Sequence, residues 1–371
     1  MKNKIISYIF LMFLLSTFVS AWTIHQVTDT LDNELSVDVV IDEFDVVHRV
    51  YERNGNIYYS NSIGDFEEFV SQGTSPSIAV GQNNVPQIVF LNSGNLYYAI
   101  KSGNQWVITS FEGYAYLADI AVDNTNKAHI VVEGNYDGDS YHEILYLNNV
   151  NGTFVGQIIA DGFYDSFGRY GNYYEYPSIA VDSQGKYYIP VLFKNWGGNA
   201  IYSDIAVIVL TNSNKVFSGS GYYSWSSNIG LSKNSIAIDD YDNVHLTYII
   251  NTELFVQSYT LNTVDVVSFG TGITNSAIDA TDKIAVVYEN QSNIYYTENT
   301  GSGFSTPELI DYGTKPVVAL GSSNIAYLSN GEIFEAYVGS SNNNNEIPEF
   351  SVIAAGLALI GALGIFFFKR R

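Results

Sequence analysis

Trp22-Thr-Ile-His-Gln-Val27 and Trp106-Val-Ile-Thr-Ser-Phe111 share one pattern, a tryptophan opening a short β-branched run. The second run closes a copy of a repeat, while the first stands alone ahead of every copy. The repeat occupies Ser36 to Val338 and is entered seven times, each time through an apolar run that ends in Asp or Gly. These runs are Val39–Asp42, Ile78–Gly81, Ile120–Asp123, Ile179–Asp182, Ile236–Asp239, Ser276–Asp279 and Val318–Gly321; their last residues lie 39, 42, 59, 57, 40 and 42 positions apart. A period of this size marks a propeller or a solenoid. The last copy holds only three strand-like runs, Pro316–Leu320, Asn324–Leu328 and Glu332–Val338. An open sheet edge there would invite pairing with other chains. Trp22–Val27 supplies the missing fourth run.

Inside a copy, the entry run leads to a polar turn and then to a second run such as Val244-His-Leu-Thr-Tyr248. A tyrosine-rich third run follows, as in Asn56-Ile-Tyr-Tyr-Ser60, and a fourth closes the unit. Short stretches of Val, Ile, Tyr and Phe between Gly, Asn and Asp read as strands joined by turns. No stretch before Val338, the leader aside, keeps helical periodicity long enough to compete. The expected fold is all-β, a seven-bladed β-propeller over residues 22–338 closed by its N-terminal strand, followed by a C-terminal transmembrane helix. The repeats resemble those of bacterial and archaeal surface propellers of the sialidase-like, BNR-type superfamily. That resemblance implies the fold and leaves the activity open, because propellers host many unrelated functions. Sialidase chemistry implies an arginine cluster, and the region between the termini holds only Arg49, Arg53 and Arg169. Turns such as Asp182-Ser-Gln-Gly-Lys186 also lack the full Asp-box pattern, Ser-x-Asp-x-Gly-x-Thr-Trp.

The two ends set the expected compartment. Residues 1–21 join a basic start (Lys2, Lys4) to an apolar stretch and small residues at Ser20 and Ala21, which reads as a secretory signal cut before Trp22. Residues 339–347 form a polar linker with a reach of about 30 Å when extended. Pro348-Glu349-Phe350 then precedes an uncharged stretch, Ser351–Phe368, and the basic end Lys369-Arg370-Arg371. A stretch of that length can span a bilayer, and the basic end would stay in the cytoplasm. Residues 348–371 resemble the PEF-CTERM sorting signal of archaeal surface proteins. The resemblance implies an archaeosortase-like processing enzyme as a partner and a lipid in place of the helix. In either form the propeller is expected outside the cell, tethered to the membrane.

Charge narrows the partners. The chain of 371 residues carries a formal net charge of −22. Five of its 16 basic residues lie in the two terminal segments, so the exported part sets 11 basic residues against 38 acidic ones. Such a surface repels nucleic acid and anionic headgroups. No cysteine is present, so no disulfide supports the domain. Asn151-Gly-Thr153 and Asn290-Gln-Ser292 are glycosylation sequons in expected turns.

The wide spacings come from long connections, 134–142, 161–176, 195–203 and 218–233, which fall on one face of the ring. Their content is aromatic and acidic, and rigid scaffolds carry binding on such loops. The expected contact residues are Tyr141, Asp161, Tyr164, Asp165, Arg169, Tyr173, Tyr174, Trp196, Tyr222, Tyr223 and Trp225. Flat rings pack on sugar faces while carboxylates take hydroxyls. His48, His129 and His245 share one repeat position but fall in different blades, so they read as strand residues with bonded ring nitrogens, not as metal ligands. The aspartates that end the entry runs read as turn formers bonding the amides that follow. Glu133, Asp137, Asp139 and Glu143 are rich in oxygen, but no stretch matches a twelve-residue calcium loop. No cofactor or metal is expected beyond that weak Ca²⁺ signal, and no catalytic set is assigned. The expected function is a non-catalytic binding or adhesion module for an extracellular glycan or protein. A glycan-active hydrolase or lyase, and a structural surface-layer component, are the alternatives.

Overall fold

In the computed structural model, the described residues are 22–338 except 65, 137–141, 165–169, 198–199, 212–213, 220–228, 261–262, 300 and 321–323. The expected signal peptide, the Pro348-Glu349-Phe350 motif and the apolar span lie outside them. Among the described residues no helix is long and apolar enough to cross a membrane. His25–Ala336 forms one compact unit; the other comprises Met1–Ile24 and Tyr337–Arg371, of which only strand ends are described.

The strands build seven antiparallel sheets, each made from consecutive segments apart from the last. Blade 1 comprises Glu34–Ile41, Val47–Arg53, Asn56–Asn61 and Glu68–Gln72. Blade 2 runs from Thr74 to Phe111, blade 3 from Tyr114 to Ala160, blade 5 from Ile229 to Ser268 and blade 6 from Ile273 to Tyr312. Blade 4 is the largest: Phe163–Tyr164 pairs with Tyr170–Glu175, which with Ala180–Val181 flanks Tyr187–Gly197, followed by Ala200–Thr211 and Asn214–Gly219. Blade 7 has the order Trp22–Gln26, Glu332–Val338, Asn324–Ser329, Thr314–Ala319. The chain is therefore a seven-bladed propeller whose first strand completes its last sheet.

Closure is fastened beyond the strand itself. The Val27 amide donates to the Ile333 carbonyl at 2.8 Å, and the Ile333 amide donates to the Thr28 hydroxyl at 2.9 Å. Between blades 7 and 1, the Arg49 guanidinium grips the Glu335 carboxylate through two nitrogens, one contact at 2.7 Å, with both side chains buried. Removing one partner of such a pair leaves an uncompensated buried charge. Arg53 is likewise occupied, bonding Glu34 at 2.9 Å and Glu67. Neither arginine is left for a substrate carboxylate.

Apolar packing lies between neighbouring blades. One cluster joins Val89 and Tyr98 of blade 2 to Ile120 and Ile130 of blade 3. Another joins Ile144 and Ile159 of blade 3 to Ile189 and Ile208 of blade 4. Every residue of Val47–Arg53 and Asn324–Ser329 is buried, because second strands are covered on both faces.

Blades 3 and 4 depart from the repeat. In blades 1, 2, 5, 6 and 7 the second and third strands meet through two residues of positive φ: Asn54-Gly55, Ser93-Gly94, Asn251-Thr252, Gln291-Ser292 and Asn330-Gly331. This is the backbone of the type I′ hairpin. Beside each turn two rings stack across the strands: Tyr51–Tyr58, Phe90–Tyr97, Tyr248–Phe255, Tyr288–Tyr295 and Tyr327–Phe334, with centroids 5.3–6.0 Å apart. In blades 3 and 4 the corresponding pairs are Val132–Leu145 and Val191–Ala206. Blade 3 there has the connection 136–142, and blade 4 lengthens its hairpin to strands of 11 and 12 residues. Residues 195–203, expected as a loop, thus belong largely to a ladder, as does 170–175 within the expected loop 161–176.

The opposite face carries the entry-run turns. Asp42 Oδ1 accepts the amides of Phe44 and Val46, Asp123 Oδ1 those of Thr125 and Lys127, and Asp182 and Asp239 do the same with Gln184, Lys186, Tyr241 and Asn243. Each second oxygen meets the side chain six positions on: His48, His129, Tyr188 or His245. Asp279 does not follow this rule. Its blade turns one residue later, Ala280 pairing Ile284, so Asp279 lies half-buried within the strand. There it accepts the amide of Leu320 in blade 7 at 2.6 Å, and burial pushes its carboxyl up to about 6. Asp38 and Asp119 clasp the next blade in the same way, through the amides of Ile78 and Ile179. The Asp38 carboxylate also meets Asn234 of blade 5 at 2.7 Å and Lys233 at 3.6 Å, so polar side chains cross the ring at this level.

Candidate functional site

The face freed by the irregular blades is where the described residues gather unusual chemistry. It is built first by a bulge. In the first strand of blade 3, Ala115 pairs with Gly134 and Leu117 with Glu133, leaving Tyr116 as the extra residue. Bulges re-aim side chains. Blades 1, 2, 6 and 7 have irregularities at the same place, but only blade 3 puts tyrosines around it. Tyr114 and Tyr116 are 57% and 42% exposed, while Ala115 between them is buried. Their rings meet edge to face at 5.2 Å. Below them Gly113 (φ 130°) and Gly134 leave room for the Tyr136 ring, which a side chain at either position would strike.

Tyr116 stacks on His142, with centroids 4.5 Å apart and planes at 14°. Tyr173 of blade 4 lies 5.9 Å beyond the imidazole. Tyr114, Tyr116, His142 and Tyr173 thus form a continuous row of rings across two blades. Carboxylates sit against it. His142 Nδ1 is 2.7 Å from Glu133 Oε1, and Glu133 Oε2 accepts the Tyr176 amide at 2.9 Å. Tyr176 reaches that position with φ 54°, a left-handed conformation that a bulky residue adopts at a cost of order 1–3 kcal/mol. Tyr173 and Glu175 share one side of their strand by its two-residue period. Glu175 bonds Lys194 at 2.7 Å, and the ammonium also lies 5.3 Å from the Tyr173 ring.

The electrostatics follow from these contacts. Burial raises the Glu133 carboxyl above the usual range, with Glu175 adding repulsion and the Tyr176 amide and His142 opposing it. Burial acts to lower Lys194, but the bond to Glu175 outweighs it and the ammonium is held more tightly than usual. Donor atoms of Glu133, His142 and Glu175 lie within 4.8 Å of one another, the one such His/Asp/Glu trio among the described residues. The arrangement can stack a flat ligand, accept its hydroxyls, and hold a cation.

Of the contact residues expected from sequence, the structure brings Tyr173 into this row. Tyr174 faces the other way, its ring tilted against Phe193 with centroids 5.2 Å apart and packing against the core between blades 3 and 4. Asp161 is exposed nearby. Tyr141, Asp165, Arg169, Tyr222, Tyr223 and Trp225 lie outside the described residues; Tyr164 and Trp196 sit in described strands, but their side chains are outside the description. Tyr116, His142, Glu175 and Lys194 were not singled out by sequence. The three repeat histidines are bonded as expected: Nδ1 of His48, His129 and His245 meets Tyr59, Tyr146 and Ser258 at 2.7–2.8 Å. Among the sequons, Asn151 is exposed in a turn, and Asn290 ends a strand with its amide bonded to Thr271.

No family model and no curated protein sequence matches the chain. Solved structures do. An oligogalacturonate lyase from Vibrio parahaemolyticus is 10% identical with a TM-score of 0.54, over 86% of this chain and 94% of that one. A virginiamycin B lyase from Staphylococcus aureus is 12% identical at 0.53, over 86% and 100%. YCF48, solved bound to D1 peptide, is 11% identical at 0.50, over 87% and 96%. The neighbours are propellers that include both lyases and a peptide-bound protein. Identities this low speak for the fold alone.

Proposed function

We propose that this protein is an exported, membrane-tethered cell-surface propeller that binds an extracellular glycan through the rim of blades 3 and 4, without chemistry on it. The observation that carries the reading is the row Tyr114–Tyr116–His142–Tyr173, exposed at its two tyrosines in blade 3 and half-buried beyond them, edged by Glu133 and Glu175. Sugar faces stack on such rings and their hydroxyls bond such carboxylates. The acidic surface disfavours polyanions, so neutral or amino sugars suit it best. Tethering, the expected role of residues 348–371, would hold the ring close to the membrane. The test is a glycan array with the purified protein and Tyr116→Ala/Tyr173→Ala. Two lost ring contacts of about 1 kcal/mol each predict roughly 10- to 30-fold weaker binding. Tyr241→Ala, an exposed ring on the opposite face, is the control. Equal binding by the double variant and wild type would remove this surface from consideration.

One observation favours a second reading, a glycan-active enzyme. Glu133 and Glu175 approach closely beside an imidazole, and one of the two carboxyls is raised by burial. A pair of carboxylates is the usual equipment for glycoside cleavage.

A further inference from the structure

We propose that Glu133, His142 and Glu175 form a binding site for a divalent transition-metal ion of the zinc class. The inference stands on the trio itself and does not depend on the glycan reading. The ligands come from two blades. Glu133 lies two residues before the end of the second strand of blade 3, His142 precedes the third, and Glu175 ends the first long strand of blade 4. All are at or near strand ends, which gives the set a rigid base.

The geometry is within reach of coordination. The donor atoms span at most 4.8 Å, and the shortest described pair is 2.7 Å apart. Four donors at about 2.0–2.2 Å around zinc stand roughly 3.4 Å from one another. Binding then requires His142 and Glu133 to separate slightly and Glu175 to move in, each by about 1 Å. The donor set selects the metal. Calcium takes six to eight oxygens, whereas one imidazole with two carboxylates suits zinc, or manganese more weakly. Three protein donors also leave a coordination position for water or a ligand hydroxyl. His142 is a third exposed, so the trio is open to solvent.

The surroundings match an outer shell. The Tyr176 amide fixes the second Glu133 oxygen, and the Tyr116 ring fixes the plane of the imidazole. Such partners orient ligands. Among the described residues Lys194 is the group opposed to a cation, since its ammonium bonds Glu175. In this account Lys194 competes with the metal and swings away when it binds.

The test is calorimetric titration of the chelator-stripped protein with zinc chloride, then manganese and calcium chlorides. One zinc per chain is expected, with weaker manganese and no comparable calcium binding. His142→Ala and Glu175→Gln should each weaken zinc at least 30-fold while the circular dichroism of the sheet is unchanged. Lys194→Met should bind more tightly, by about 3- to 10-fold. The proposal is overturned by no saturable binding to wild type, by full binding in either His142→Ala or Glu175→Gln, or by weaker binding in Lys194→Met.

Discussion

Blade 3 holds two histidines, each beside a carboxylate, and they do different work. His129 is fully buried at the turn end, with Nε2 3.1 Å from Asp123 and Nδ1 2.7 Å from the Tyr146 hydroxyl, and its ring stacked 4.1 Å from Tyr187. Every polar atom is matched, and the same clasp recurs at His48 and His245. His142 lies at the other end, a third exposed, bonded to a carboxylate from its own blade and close to another from the next. It recurs nowhere. Repetition with full satisfaction marks a fold device, and its absence where the repeat breaks marks a place free for ligands.

The largest expected contrast is in stability. His129→Ala leaves Asp123 and Tyr146 without their buried partner, a loss of about 3 kcal/mol. His142→Ala removes a partly solvated contact and should cost under about 1 kcal/mol. Urea unfolding of the two variants measures this, and equal losses would break the comparison. A smaller effect lies in pH. Burial lowers His129 below its ordinary 6.5, against the pull of Asp123. The unfolded chain therefore takes up the proton first as pH falls through 6.5. Stability from this residue is full above that value and declines below it, by at most about 1.4 kcal/mol per pH unit. Asp279, held at about 6, acts in the opposite sense, gaining stability as pH drops below that value. Comparing wild type with His129→Gln across pH 5–8 cancels Asp279. The wild-type advantage should shrink on acidification, and growth would contradict the assigned protonation.

The ring was legible in the chain because its signal is local and repeated. Alternating apolar runs and turn residues show each strand, and Trp22–Val27 shows the closing one by likeness to Trp106–Phe111. The repeat histidines were readable as structural for the same reason. Asp279 accepts the amide that follows it, as expected, but from within the strand, because its run is in phase with the others while its turn, Thr281 to Lys283, is shorter. Residues 195–203 looked like a loop because Asn, Gly and Tyr hide the alternation of a projecting hairpin. The site was the least legible. Glu133 and Glu175 are in different blades, Tyr116 is exposed by a bulge, and His142 has no counterpart in another copy. Only pairing between strands brings them together.

The central claim, that the broken repeat at blades 3 and 4 creates the ligand site, is tested most directly by imidazole NMR. Five histidines make the signals assignable. On addition of one equivalent of zinc, the His142 resonances should shift while those of His48, His129 and His245 stay in place. Movement of the buried three with His142 unmoved would contradict the account.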